Sequence, residues 1–176
     1  MQNLSNRLKQ IAVLVPKNCR VADIGTDHGY LPIYLIKNGI ASFVFACDIA
    51  EKPLKTAQKN IEASGLHNIE TRLSDGLENI SPDEIDAAVI AGIGGEVISG
   101  IIERCEWIKD SRYTLILQPT TSPEKLRTYL ADNGFLVEYE VALCENGKIY
   151  SIMRAKYCGK KQILPPYKLF IGNLTP

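Results

Sequence analysis

Cysteine is scarce and scattered in this chain, and the scatter excludes more than the scarcity does. The five cysteines, Cys19, Cys47, Cys105, Cys144 and Cys158, are odd in number and form no C-x-x-C pair, so neither a disulfide framework nor a zinc site has the clustered spacing it needs. They read as reduced thiols of a cytoplasmic protein. Histidine is rarer still: with only His28 and His67, no serine, histidine and acid set and no metal-ligand cluster can be assembled, which argues against triad hydrolases and metalloenzymes. Met1 to Val15 has no long uninterrupted apolar run and no small-residue cleavage site, so neither a signal peptide nor a membrane span is expected. Net charge is also absent, at 20 basic against 20 acidic residues, leaving no overall electrostatic footprint for nucleic acid. The balance is uneven along the chain: residues 156–176 hold Lys156, Lys160, Lys161 and Lys168 and no acid, so they carry +4 and residues 1–155 carry −4. Such a tail is either solvated surface or a binding arm.

What the chain does have is the length and apolar content of one α/β domain: 176 residues, 45% apolar and 23% charged. Leu4, Leu8, Ile11 and Val15 fall at helical spacing, so residues 4–15 read as an amphipathic helix stopped by Pro16. Strands are expected at 21–24, 42–48, 69–73, 87–91 and 113–118, with helices at 30–38, 51–64, 94–105 and from Ser122-Pro123 to Asp132. The strands are near-continuous apolar runs, the pattern of a parallel sheet buried on both faces. After Gly134 the period changes. Residues 135–144 and 149–157 are both strand-like and are joined by Glu145-Asn146-Gly147-Lys148, a strong hairpin signal. Residues 164–172 are apolar and marked by Pro165 and Pro166.

The segment Arg20 to Pro32 ends an apolar strand in Asp23 and turns through Gly25 and Gly29 into a helix. A dinucleotide fingerprint needs glycines in the frame G-x-G-x-x-G. From Gly25 that frame meets Asp27 and Tyr30 instead. Two carboxylates in the turn would repel a pyrophosphate, but they suit a cofactor carrying an ammonium and a sulfonium, which favours S-adenosylmethionine over NAD. Asp48 closes the second strand 23 positions after Gly25, where a carboxylate can take the two ribose hydroxyls of an adenosine cofactor or cap the next helix. Leu73-Ser74-Asp75-Gly76-Leu77 follows the third strand, and its Asp-Gly is a common turn pair. Ala91-Gly92-Ile93-Gly94-Gly95-Glu96 leaves backbone N–H groups for an anion or a carbonyl.

The run Asp23 to Pro32, together with Leu4-Ser5-Asn6-Arg7-Leu8, Ala91 to Gly95 and Gln118-Pro119, resembles the bacterial tRNA adenine-N1 methyltransferases of the TrmK type, within the class I methyltransferases. The resemblance covers essentially the whole chain. It implies a Rossmann-like α/β fold: a mostly parallel seven-stranded sheet with a C-terminal antiparallel hairpin and helices on both faces. Residues 1–157 would be the catalytic domain, and 158–176 the lead into a further C-terminal helical domain. It implies S-adenosylmethionine as cofactor, held by Asp23, Gly25, Thr26, Asp27, His28, Gly29, Tyr30, Asp48, Ile49, Asp75, Gly76, Ala91 and Gly92. It implies tRNA as partner, with methylation at N1 of a D-arm adenine, no metal and no membrane. The loop after the fourth strand has neither Asn/Asp-Pro-Pro-aromatic nor Pro-Cys, so exocyclic-amine and cytosine-carbon chemistries are disfavoured. Asp27 and His28 are the catalytic candidates: Asp27 could meet the charge that develops on the methylated ring, or serve the cofactor alone. A small-molecule acceptor, a non-catalytic RNA-binding module and an NAD-dependent oxidoreductase remain the competing readings.

Overall fold

The computed structural model describes residues 4–173. Met1 to Asn3 and Leu174 to Pro176, the outer ends of the expected domain and tail, lie outside the described residues. The first helix, α1 (Asn6–Leu14), starts at Ser5, whose hydroxyl accepts the Leu8 N–H at 3.3 Å; such a cap contributes about 1 kcal/mol. Ile11, Ala12 and Leu14 form its buried face, and the helix ends before Pro16, which has no N–H to continue it.

The first compact unit spans Met1–Val89. In it β1 (Cys19–Ile24) pairs parallel with β2 (Ala41–Asp48), and β2 pairs parallel with β3 (Ile69–Leu73). Between them run α2 (Tyr30–Lys37) and α3 (Glu51–Ser64). Val21, Ala22, Val44, Ala46 and Cys47 are fully buried, as near-continuous apolar strands require. Ala46, Ala57 and Ile61 form a small cluster between β2 and α3. Burial holds the thiol of Cys47 well above its ordinary range, at about 12, so it stays a protonated core residue.

The second unit, Ile90–Pro176, contains α4 (Gly95–Arg104), β5 (Thr114–Pro119), α5 (Pro123–Asp132), β6 (Phe135–Glu145), β7 (Lys148–Tyr157) and α6 (Pro166–Ile171). The strand β4 (Ala87–Ile93) carries the chain from the first unit to the second. β7 runs antiparallel to both β5 and β6, and the hairpin turn is Asn146-Gly147, both at positive φ, the type I′ geometry expected of that dipeptide. The seven strands lie in the order β3-β2-β1-β4-β5-β7-β6, a mostly parallel sheet with an antiparallel end. α6 is an element that the sequence reading did not anticipate. No helix among the described residues is long and apolar enough to cross a membrane.

Candidate functional site

The strand-to-helix turn after β1 is held from beneath by β2. The N–H groups of Gly25 and Thr26 both donate to the Cys47 carbonyl at 2.9 Å. Gly25 has φ +77, and a Cβ there would meet nothing within 4 Å, so the glycine answers to conformation and leaves open space above the backbone. Asp27 also adopts the left-handed region, φ 54. Its N–H donates to Asp48 Oδ2 at 3.3 Å, while Asp48 Oδ1 accepts from the Ala50 N–H at 2.9 Å. The Asp48 carboxylate thus closes the turn before α3, although the N-cap position itself falls to Ala50 without a side-chain cap, and each oxygen keeps a lone pair for a further donor. At the start of α2, Gly29 has φ +72, and a Cβ there would stand 3.2 Å from that of Ala57, so this glycine also allows α2 and α3 to approach closely.

Asp23 and Asp48 are the buried acids of this turn, 5% and 8% exposed. Among the described residues neither forms an ion pair. Burial pushes the Asp23 carboxyl up to about 6; the nearby Thr26 hydroxyl pulls it back and the Asp48 charge raises it further. The Thr26 hydroxyl is itself buried without a hydrogen bond of regular geometry. A buried carboxyl beside a second acid and an underused hydroxyl make a cradle that favours a cation carrying hydrogen-bond donors.

At the rim, His28 Nε2 stands 3.3 Å from Asp27 Oδ2, both side chains well exposed. The His28 ring lies 5.4 Å from that of Tyr30. Asn60, on α3, donates its amide to the His28 carbonyl at 2.9 Å; the 32-residue separation leaves no local signal by which the sequence could have shown it. The turn after β3 joins the same site: the Ser74 N–H donates to the Asp48 carbonyl at 2.9 Å, and the buried Ser74 hydroxyl donates to the Gly76 carbonyl at 2.9 Å. Asp75 is exposed at that turn and Ile49 is exposed after Asp48. Asp23, Gly25, Thr26, Asp27, His28, Gly29, Tyr30, Asp48, Ile49, Asp75 and Gly76 all lie at the carboxyl ends of β1, β2 and β3, where parallel α/β sheets carry their ligands.

A family model for a methyltransferase domain matches residues 4–153. Over 154 residues the chain is 39% identical to the tRNA (adenine(22)-N(1))-methyltransferase of Bacillus subtilis, an alignment covering 87% of this chain. The chain belongs to the TrmK-type methyltransferase family. Among solved structures of that family, Streptococcus pneumoniae Sp1610, a putative tRNA (m1A22) methyltransferase in complex with S-adenosyl-L-methionine, superposes with a TM-score of 0.91 at 34% identity, covering 98% of this chain and 80% of that one. M. capricolum TrmK in complex with S-adenosyl-homocysteine gives a TM-score of 0.84 at 35% identity, covering 96% and 75%. The chain spans 65% of the length of the B. subtilis methyltransferase.

The methyltransferase-domain match contains every expected site residue, including Ala91 and Gly92 of the second unit. Ala91 is partly buried and Gly92 exposed with φ +81. Here the structure corrects a detail: β4 continues through Gly92 to Ile93 where the sequence reading ended it at Ala91. The glycines beyond serve packing. The Gly95 N–H is taken by the Thr121 carbonyl at 2.9 Å, and a Cβ on Gly95 would come within 2.5 Å of the Ser122 carbonyl oxygen. That N–H is thus not available to an anion, and Gly95 admits the Thr121–Ser122 backbone.

Proposed function

We propose that the chain is an S-adenosylmethionine-dependent methyltransferase that modifies N1 of an adenine in the D-arm of tRNA, in the cytoplasm. The observation that carries this reading is the pair of buried carboxyls, Asp23 and Asp48, at adjoining strand ends with no ion-pair partner among the described residues. These residues fit the cofactor. Asp23 and the Thr26 hydroxyl would take its ammonium, the free lone pairs of Asp48 its ribose hydroxyls, and the Asp75-Gly76 turn its adenine, with Ile49 covering the ring. Bound there, the cofactor supplies a methyl group on a sulfonium.

The rest is positioning. N1 of adenine carries an in-plane lone pair, so no base need first remove a proton, and the protein's task is to align acceptor and donor. N1 lies on the Watson–Crick edge, so the base must be unpaired or extruded to reach the site. The ring becomes cationic as it is methylated. Asp27, exposed on the rim and steadied by its own N–H bond to Asp48, is placed to meet that charge, with His28 beside it. The names of the relatives, a tRNA (adenine(22)-N(1))-methyltransferase and two structures holding the cofactor or its product, support the same substrate and cofactor.

The test is to incubate the chain with labelled S-adenosylmethionine and unmodified tRNA transcripts and to map the modified nucleoside. The expected result is 1-methyladenosine at a D-arm adenosine. Cofactor binding without label in any RNA would overturn the reading.

A further inference from the structure

Beside the acidic turn, on the first unit, α1, α2 and α3 line a groove of about 620 Å³. Its chemistry is the opposite of the turn's. Lys9 from α1 and Lys37 from α2 bring two cations to it, and among the described residues no carboxylate lines it. Tyr30 and Tyr34 lie four positions apart on α2 and therefore share one side of that helix; both line the groove, as does Ile33 between them.

Cationic side chains interleaved with aromatic faces are what an unpaired nucleic-acid strand requires, the cations for phosphates and the rings for bases of any sequence. An acidic peptide would use the lysines and leave two aromatic rings without a matching partner. A lipid surface would require apolar groups projecting outward, and here they line a concavity. The groove is also continuous with the candidate site. Tyr30 belongs to both, its ring is 5.4 Å from that of His28, and Asn60 on the groove wall holds the His28 carbonyl at 2.9 Å.

We infer that this groove holds an unpaired stretch of the RNA substrate, with bases stacked on Tyr30 and Tyr34 and phosphates on Lys9 and Lys37, leading the neighbouring nucleotide to the acidic turn. The inference rests on the RNA methyltransferase reading above and adds to it a place for the strand. It also explains how a chain with no net charge could engage RNA: the cations need only be local.

The experiment measures binding of an unmodified tRNA transcript by fluorescence anisotropy across a salt series, for the unaltered chain, K9Q/K37Q and Y34A. Losing two phosphate contacts should make the slope of log K against log salt shallower by about 1.4, and Y34A should weaken binding about five-fold or more at a single salt concentration. Affinity for S-adenosylmethionine, measured by calorimetry on the same variants, should not change. In parallel, a 4-thiouridine-substituted transcript crosslinked to the unaltered chain should mark peptides from residues 4–15 and 30–38, a readout that does not depend on the variants folding. Variants with unaltered affinity and slope, crosslinks confined to other peptides, or an unaltered chain that binds no tRNA would each overturn the groove assignment. Failure of the parent reading is distinct: the unaltered chain would then methylate no RNA, whereas failure of the groove alone leaves that methylation intact.

Discussion

Asp23 shows at the scale of one residue how a buried acid costs stability. Its carboxyl is buried at a strand end, beside a second acid, and its pKa rises from an ordinary value of about 3.8 to about 6. A raised carboxyl pKa means that the protonated form is the one the fold favours. The corresponding stability is fully present below pH 3.8 and is lost as pH rises through 6. Near neutrality the ligand-free chain therefore carries an ionised buried group worth up to about 3 kcal/mol of destabilisation. Asp23→Asn should unfold no lower than the unaltered chain above pH 6, with any advantage disappearing as pH falls below 4; thermal melts across that range check it. A variant less stable at neutral pH than at acid pH, relative to the unaltered chain, would show that Asp23 is already compensated within the fold. The Asp23-x-Gly25 pattern was legible because charge and glycine are local features. The contacts from Asn60 and Ser74 were not, since each depends on a partner far along the chain.

At the scale of elements, the C-terminal segment is fixed to the second unit by a buried ion pair. Arg127 on α5 and Glu140 on β6 meet at 2.6 Å with side chains 4% and 1% exposed. Arg127 also donates to the Leu169 carbonyl at 2.6 Å, and Glu140 accepts from the Asn173 N–H at 2.9 Å, while Ser151 hydrogen-bonds the same carboxylate. The pair thus spans α5, the hairpin and the end of α6. Removing one charge strands the other: Arg127→Met should cost about 3–5 kcal/mol and lower the melting temperature by roughly 10 °C, with proteolysis accelerated in residues 158–173. Replacing Glu140 by Leu in the same chain should recover much of the loss. A single variant that melts within a degree of the unaltered chain would refute the anchoring role. The sequence could not disclose this pair, because an arginine in a helix and a glutamate in a strand each look like surface residues until the fold brings them together. α6 escaped notice for a related reason: its six residues are too few to show a helical period.

At the scale of the molecule, the alternation of strands and helices was readable because parallel strands buried on both faces become unbroken apolar runs, and because Asn146-Gly147 specifies its own turn. The sheet order β3-β2-β1-β4-β5-β7-β6 was not legible, since apolar runs say that strands exist and not which ones are neighbours. The account's central claim is that the acids gathered at the ends of β1 and β2 select a positively charged methyl donor over a pyrophosphate-bearing dinucleotide. Calorimetric titration of the full chain with S-adenosylmethionine and, separately, with NAD tests this most directly, using Asp48→Ala as the control. Saturable one-to-one binding of S-adenosylmethionine, weakened about 10- to 100-fold in the variant, with no heat from NAD, is the predicted result. Binding of NAD, or S-adenosylmethionine affinity indifferent to Asp48, would contradict it.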